Sequence, residues 1–197
     1  MQVDYGGIPA RTIAAGTLLL HVSRTIYRGS PPYFGTSSSC RYDDPERKFG
    51  VLYVAEENDL PTALMETVFH DHRWARRRRR VLTKAELYGR MVRMLGVLND
   101  FALADLTQPN VIAARLGLNL HQVTRRPYRT TQQLTRNIFE TGVFDGICYL
   151  SRNNPPASCF ALFDRIEKDL EVACDIDLNI HRSWPGFVRD FGIAVTP

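Results

Sequence analysis

A chain of 197 residues with 44% hydrophobic and 23% charged residues has the size and composition of one globular domain. No apolar run approaches the about 20 residues that a membrane-spanning helix requires. The N-terminal segment has an early acid and only the short apolar run Leu18–Leu20, so it does not resemble a signal peptide. We therefore expect a single-domain cytoplasmic protein without a membrane association.

The residues that could bind a metal are not spaced as metal ligands usually are. The four cysteines lack the short paired intervals of zinc sites, so free thiols are expected. His70 and His72 are two residues apart on a predicted helix and do not share a face. The sequence therefore predicts no metal site.

The basic charge is concentrated in one short run. The formal net charge is +4, and Arg76–Arg80 are five consecutive arginines that cannot all be buried. A solvated segment is the interpretation we favour, and an acidic partner or nucleic acid remains an alternative. Nucleic-acid binding has little further support, because Trp74 is the one aromatic nearby.

The first half of the chain shows strand, loop and helix patterns in that order. Residues 17–23 and 50–55 are typical of strands, and residues 29–40 are too rich in turn formers for regular structure. We expect this loop to shape access to a site. Asn58 or Asp59 can cap a helix with Pro61 in its first turn, and the apolar spacing continues to about His72.

The second half mixes helices and strands irregularly. Residues 83–94 are predicted to be helical, with Thr83 and Glu86 as a capping box. Further predictions are strands at 99–106, 146–150, 159–163 and 175–181, a short helix at 109–116 and a longer one at 130–141. Without a regular βαβ alternation, the pattern indicates an α+β fold. Neither a dinucleotide-binding glycine motif nor a P-loop is present.

Four polar residues could be functional, and each has an ordinary structural explanation as well. Glu66 borders the apolar face of its helix and could be a surface acid. Arg41 could pair with an acid of its own loop. Tyr53 lies in an apolar strand and could simply anchor its hydroxyl, while Ser151 could cap a turn.

In chain order, the segments Arg41-Tyr42-Asp43-Asp44-Pro45, Ala63-Leu64-Met65-Glu66 and Gly146–Arg152 with its Ser151 resemble the RES domain. The resemblance covers about residues 16–165, with 166–197 as a C-terminal extension of one RES-type domain. It implies an ADP-ribosyltransferase-like mixed sheet surrounded by helices. It also implies cleavage of the nicotinamide–ribose bond of NAD, with transfer of ADP-ribose to water, phosphate or a protein. The family's usual partner is a helix-turn-helix-type antitoxin that blocks the cleft.

The resemblance assigns roles to the four residues. Glu66 would be the catalytic acid that faces the oxocarbenium-like transition state, which needs one carboxylate because nicotinamide is already a cationic leaving group. Arg41 would hold the pyrophosphate of NAD, since its guanidinium matches phosphate oxygens. Tyr53 and Ser151 would position the nicotinamide riboside.

One departure from the family pattern concerns the first strand. Where RES sequences commonly carry an arginine, the segment Leu19–Val22 places His21, a poorer phosphate ligand at neutral pH. Arg24 or Arg28 could supply the missing charge. The alternative functional hypothesis is therefore a catalytically weak RES-like binding module.

Overall fold

The computed structural model describes residues 3–69 and 80–197. Ten strands lie in these residues: β1 (Ala10–Ile13), β2 (Leu18–Arg24), β3 (Val51–Glu56), β4 (Arg80–Thr83), β5 (Arg90–Val97), β6 (Phe101–Asp105), β7 (Gly146–Leu150), β8 (Ser158–Phe163), β9 (Leu170–Asp177) and β10 (Ile193–Thr196). The same residues contain five α-helices: α1 (Leu60–Thr67), α2 (Lys84–Tyr88), α3 (Leu120–Thr124), α4 (Arg129–Glu140) and α5 (Trp184–Asp190). A π-helical segment, Val111–Arg115, precedes α3.

Eight of the described strands form one mixed sheet in the order β1-β6-β7-β8-β3-β2-β5-β9. Within it β6 and β7 run parallel, and every other neighbouring pair is antiparallel. Strands β4 and β10 form a separate parallel pair. This arrangement confirms the α+β prediction.

Alternate residues of β3 show how the core is divided between the two faces of the sheet. Leu52 and Val54 join the cluster that covers one face. Val51 and Ala55 point to the opposite face, where Val51 belongs to a cluster around α4 and Ala55 to a cluster around α1 and α5. The opposite face therefore carries two separate apolar clusters. Tyr53 lies on β3 between Val51, which belongs to one cluster, and Ala55, which belongs to the other.

Strands β2 and β3 separate soon after they begin to pair. Two register pairs join them, Leu19 with Glu56 and Leu20 with Ala55, whereas β2 pairs with β5 along all seven of its residues. Gly35 of the loop between β2 and β3 forms a bridge to Val51. At Gly50 a Cβ atom would lie 2.7 Å from the carbonyl oxygen of Phe34, so this close approach of the loop requires glycine.

Helix α1 begins as the sequence predicts. The Asp59 side chain accepts a hydrogen bond from the backbone N–H of Thr62 (3.0 Å), and Pro61 lies in the first turn. The helix ends at Thr67, and the N–H groups of Val68 and Phe69 both donate to the carbonyl of Leu64. The expected continuation to His72 and most of the Arg76–Arg80 run, together with His70, lie outside the described residues.

The helix predicted for residues 83–94 is wrong beyond Tyr88. Thr83 caps α2 by accepting from the backbone N–H of Glu86 (3.1 Å), but the chain turns at Gly89 and residues 90–97 form β5. In β5 seven of the eight residues are buried, because apolar side chains pack on both faces of the sheet. Burial of both faces removes the two-residue alternation by which a strand is recognised.

The C-terminal part of the chain takes part in the main sheet. The strand expected at 175–181 runs instead from Leu170 to Asp177, and residues 178–180 form a short 3-10 helix. As the edge strand β9, it pairs with β5, and Ile166 and Leu170 enter the apolar cluster of one face. The sheet therefore extends past residue 165. Five of the described elements were not predicted from the sequence, namely β1, β4, α3, α5 and β10.

Arg93 of β5 is an ion-paired residue in the interior of this sheet. Its side chain is 2% exposed and forms two hydrogen bonds to the Asp175 carboxylate of β9, at 2.8 and 3.0 Å. The remaining guanidinium donors bind the carbonyls of Tyr27 and Ser30, both at 2.9 Å. One buried cation thus ties the loop after β2 to the edge strand β9.

Replacing Arg93 with methionine should leave the Asp175 carboxylate and two loop carbonyls without their donors. We expect the free energy of unfolding in urea to fall by about 3–5 kcal/mol. Arg28→Met is the matched control, because Arg28 pairs with Asp177 of the same strand and both side chains are nearly half exposed. The control substitution should lower the free energy of unfolding by less than about 1 kcal/mol. Equal losses for the two variants would contradict this account of Arg93.

Candidate active site

Tyr53 is held in place because its hydroxyl both donates and accepts a hydrogen bond. The hydroxyl donates to Asp43 Oδ1 and accepts from the backbone N–H of Tyr42, each at 2.9 Å. Burial, followed by the nearby Asp43 charge, raises the pKa of Tyr53 well above its ordinary value of 10.0. The phenol is therefore neutral at physiological pH, and its ring is fixed between β3 and the loop that precedes it.

Glu66 lies in the last turn of α1, and its hydrogen bonds converge on one oxygen. Oε1 accepts from the Ser151 hydroxyl at 2.7 Å and from the Arg152 backbone N–H at 3.1 Å. Asn153 adds longer contacts to the same atom, at 3.4 Å from its backbone and from its side chain. Among the residues that the structure describes, none donates to Oε2. The carboxylate is thus oriented through one oxygen while the other stays available.

The turn after β7 supplies those donors and is itself fixed to α1. Ser151 is 2% exposed, and its hydroxyl accepts from the backbone N–H of Asn154 at 3.0 Å while it donates to Glu66. The Asn154 side chain donates to the hydroxyl of Thr62 at 2.8 Å. Ser151 therefore combines the turn-capping role considered from the sequence with direct contact to Glu66.

Arg41 is nearly buried and lies between two aromatic rings. Its guanidinium carbon is 4.5 Å from the ring centre of Tyr149 and 4.8 Å from that of Tyr42, and Nη2 donates to the carbonyl of Leu150 at 3.2 Å. Within the described residues it forms no ion pair with Asp43 or Asp44, the acids that follow it in its own loop. Asp43 instead accepts from Tyr53 and from the backbone N–H of Cys40. The guanidinium charge is therefore unpaired in this part of the structure.

One cavity of about 240 Å³ lies between the apolar cluster around α4 and the cluster around α1 and α5. It is lined by Arg41, Tyr53 and Glu66. Ser151 lies directly behind Glu66. The other lining residues are Ser39, Cys40, Thr67, Arg126, Tyr128, Tyr149 and Arg152.

A second cavity of about 760 Å³ occupies the region where β2 and β3 separate. Its walls are the second half of β2, the first half of β3 and the loop of residues 30–43. Three residues, Cys40, Tyr53 and Thr67, line both cavities, so the two adjoin. The loop predicted to shape access thus forms a wall of both.

The three candidates for the missing family arginine have different positions. His21 and Arg24 line the second cavity, and Arg24 lies 3.8 Å from Glu86 with half of its side chain exposed. Arg28 lines neither cavity, because it pairs with Asp177 on the outer side of β9.

Comparison with protein-family models matches residues 19–183 to the RES domain. The chain belongs to the RES-domain family. Comparison with curated protein sequences gave no match.

Among solved structures, the chain is similar to the crystal structure of the M. tuberculosis MbcT–MbcA toxin–antitoxin complex. The TM-score is 0.64 at 14% sequence identity, and the alignment covers 91% of each chain. Identity at this level shows the fold alone. The expected RES-type α+β architecture is therefore confirmed along most of the chain.

Several residues that line the first cavity of this RES domain were not predicted from the sequence. Tyr149 could have been found, since it lies on β7 two residues before Ser151, the first residue of the turn after the strand. Arg126 and Tyr128 lie between α3 and α4, where no pattern indicated a site. Arg152 was noted only as a neighbour of Ser151, although its side chain donates to the Thr124 carbonyl at 3.0 Å and lines the cavity.

Among the described residues that line the first cavity of the RES domain, arginines outnumber acids. Three arginines, at 41, 126 and 152, line it together with one carboxylate. Burial raises the pKa of both Tyr42 and Tyr149, so these phenols are neutral and leave the Arg41 charge intact. Such a site suits an anionic ligand with a cationic or electron-poor part near Glu66.

Among the residues that the structure describes, there is neither a metal-binding cluster nor a membrane-spanning helix. Within residues 3–69 and 80–197, no group of three His, Cys, Asp or Glu side chains is arranged to hold a metal ion. Across the same residues, every helix is too short or too polar to cross a membrane.

The cavity environment should make Cys40 a slow nucleophile. Burial, followed by the Asp43 charge, raises the pKa of Cys40 to about 11. At pH 8 only about one thiol in a thousand should be ionised, and alkylation by iodoacetamide should accelerate about tenfold per pH unit up to pH 10. The exposed Cys174 is the internal control, and peptide mass spectrometry measures both. Labelling of Cys40 as fast as that of Cys174 at pH 8 would contradict the raised pKa of Cys40.

Proposed function

We propose that this RES domain is a toxin that cleaves the bond between nicotinamide and ribose in NAD. The observation that carries the proposal is the Glu66 carboxylate, held through Oε1 by Ser151 and the following backbone at a cavity that Arg41 and Tyr53 also line. The family membership supports the same chemistry.

The reaction requires the features that Glu66 offers. The bond between C1′ and the nicotinamide nitrogen breaks with its electron pair moving to the nitrogen, which becomes neutral. Positive charge then develops on C1′ and the ring oxygen of the ribose. A preorganised carboxylate stabilises this charge more in the transition state than in the ground state. No proton has to be donated to the leaving group.

The neighbouring residues have separate roles in this proposal. Arg41 binds the pyrophosphate, and its buried position strengthens its attraction for phosphate oxygens because water screens it little. Tyr53, fixed by its hydroxyl, offers its ring to the nicotinamide. Ser151 orients Glu66 and so positions the carboxylate against the ribose.

The two adjoining cavities match the two-part shape of NAD. We place the nicotinamide riboside in the cavity at Glu66 and the adenosine part in the larger one between β2 and β3, with Tyr53 where the two meet. ADP-ribose then passes to water, phosphate or a protein side chain. Analysing the products with and without added phosphate distinguishes these acceptors.

We further propose that a helix-turn-helix-type antitoxin blocks this cleft and that the substrate is the cytoplasmic NAD pool. The structural similarity to a toxin–antitoxin complex supports a partner of this kind. If so, co-expression of a small helix-turn-helix protein encoded beside this chain should suppress both its toxicity and its NAD consumption.

The purified protein should release nicotinamide from NAD, with or without EDTA, because the proposed chemistry uses a protein carboxylate and arginine alone. Free nicotinamide is followed by chromatography, in buffers with and without phosphate. A folded protein that releases none under either condition would indicate the binding-module alternative. Loss of turnover with EDTA alone would refute the metal-free mechanism.

Glu66→Gln preserves the shape of the side chain but removes its charge, so it should lower kcat by about 10²–10³ with little change in NAD binding. Arg41→Ala should weaken NAD binding as well as lower the rate. Glu57→Gln is the matched control, since Glu57 is an exposed acid just before α1. Near-full turnover of Glu66→Gln would remove Glu66 from the mechanism.

A further inference from the structure

His21 stands where β2 and β3 part. The last register pair between the strands is Leu20 with Ala55, and the next side chain on β2 is His21. Its Nδ1 lies 2.9 Å from the carbonyl oxygen of Tyr53, so the imidazole bridges the two strands at the closed end of the gap. The same side chain lines the second cavity, which opens from this point.

The bridge determines which nitrogen carries the proton. A carbonyl oxygen can only accept, so Nδ1 must be the donor. In the neutral ring Nε2 then has a lone pair, and among the described residues nothing donates to it. Burial, opposed in part by the Tyr53 carbonyl, lowers the pKa of His21 below 6.5. At neutral pH the ring is therefore uncharged and Nε2 is a hydrogen-bond acceptor.

The cation nearest to His21 cannot replace the expected arginine. Arg93 is the direct register partner of His21 on β5, but its donors are already bound to Asp175 and to the carbonyls of Tyr27 and Ser30. At the outer part of the cavity, Arg24 and Arg90 share Glu86 as their ionic partner. The closed end of the cavity therefore presents a neutral acceptor.

We propose that His21 Nε2 accepts a hydrogen bond from a hydroxyl or amino group of the adenosine part of NAD, and that this end of the second cavity selects a neutral donor instead of a phosphate. The identity of the ligand rests on the proposed function. The residue contributes specificity in binding and stays outside the bond-breaking step.

The proposal predicts the sign of two effects that a phosphate-binding role would reverse. Protonation of Nε2 destroys the acceptor, so NAD binding should stay constant down to pH 6.5 and weaken as the pH falls further through the lowered pKa of His21, whereas a phosphate at this position would be bound more tightly. The charged groups facing His21 are Arg93 on β5 and Asp175 on β9. Asp43, Glu167, Arg24 and Arg90 line the same cavity.

The test measures the Kd of NAD by calorimetry on the 197-residue chain carrying Glu66→Gln, which is the parent in this test and in which turnover should be about 10²–10³-fold slower. His21→Arg installs the family residue, which has donors but no acceptor, and should weaken binding at least about tenfold. His21→Gln keeps a neutral acceptor and should bind within about threefold of the parent, without the loss of binding below pH 6.5. Circular dichroism checks that both variants are folded.

Tighter binding by His21→Arg, or binding by the parent that strengthens as pH falls, would overturn the proposal while leaving NAD cleavage intact. If His21→Arg does not fold, the pH series on the parent and on His21→Gln decides alone, and equal pH dependence in the two would overturn the proposal. No NAD binding by any folded variant, with no nicotinamide release by the protein without substitutions, would overturn both this proposal and the proposed function.

Discussion

The hydrogen bonds between Glu66 and the turn after β7 are the interaction on which the site depends. A half-buried carboxylate near the C-terminus of a helix is unfavourable, because the helix dipole presents its negative end there and burial removes water. Ser151 and the backbone of Arg152 compensate with donors to Oε1, and hydrogen bonds to a charged group contribute about 1.5–3 kcal/mol each. The charged carboxylate is therefore stabilised only where the turn after β7 packs against α1.

That requirement explains why the site lies between the two apolar clusters of one sheet face. One cluster packs around α4 and includes Tyr149, and the other packs around α1. Glu66 projects from the second cluster and Arg41 lies against the aromatic rings of the first, so the fold brings opposite charges to a common cavity without pairing them directly. An anionic ligand with a cationic ring complements both charges at once.

The sequence allowed the prediction of local features and of the residues carried by the family pattern. The cap at Asp59, strands β3 and β7 and the positions of Arg41 and Glu66 all depend on short-range patterns, and these are visible in one sequence. The misassigned strand β5 depends on its neighbours, since its buried Arg93 is compatible with a strand only because Asp175 lies alongside. Likewise, nothing near Arg126 or Tyr128 in the sequence shows that the fold brings them to Glu66.

The ion pair of Arg93 and Asp175 also explains how the edge strand β9 supports the second cavity. The loop after β2 has no regular secondary structure between residues 28 and 34, yet it forms a wall of the second cavity. Its carbonyls at Tyr27 and Ser30 are bound by Arg93, which is oriented in turn by Asp175 of β9. Because its donors are already used in this way, the Arg93 guanidinium cannot also bind a phosphate. The chain therefore uses Arg93 to build the wall of the second cavity, and the neutral imidazole of His21 lines that cavity at its closed end.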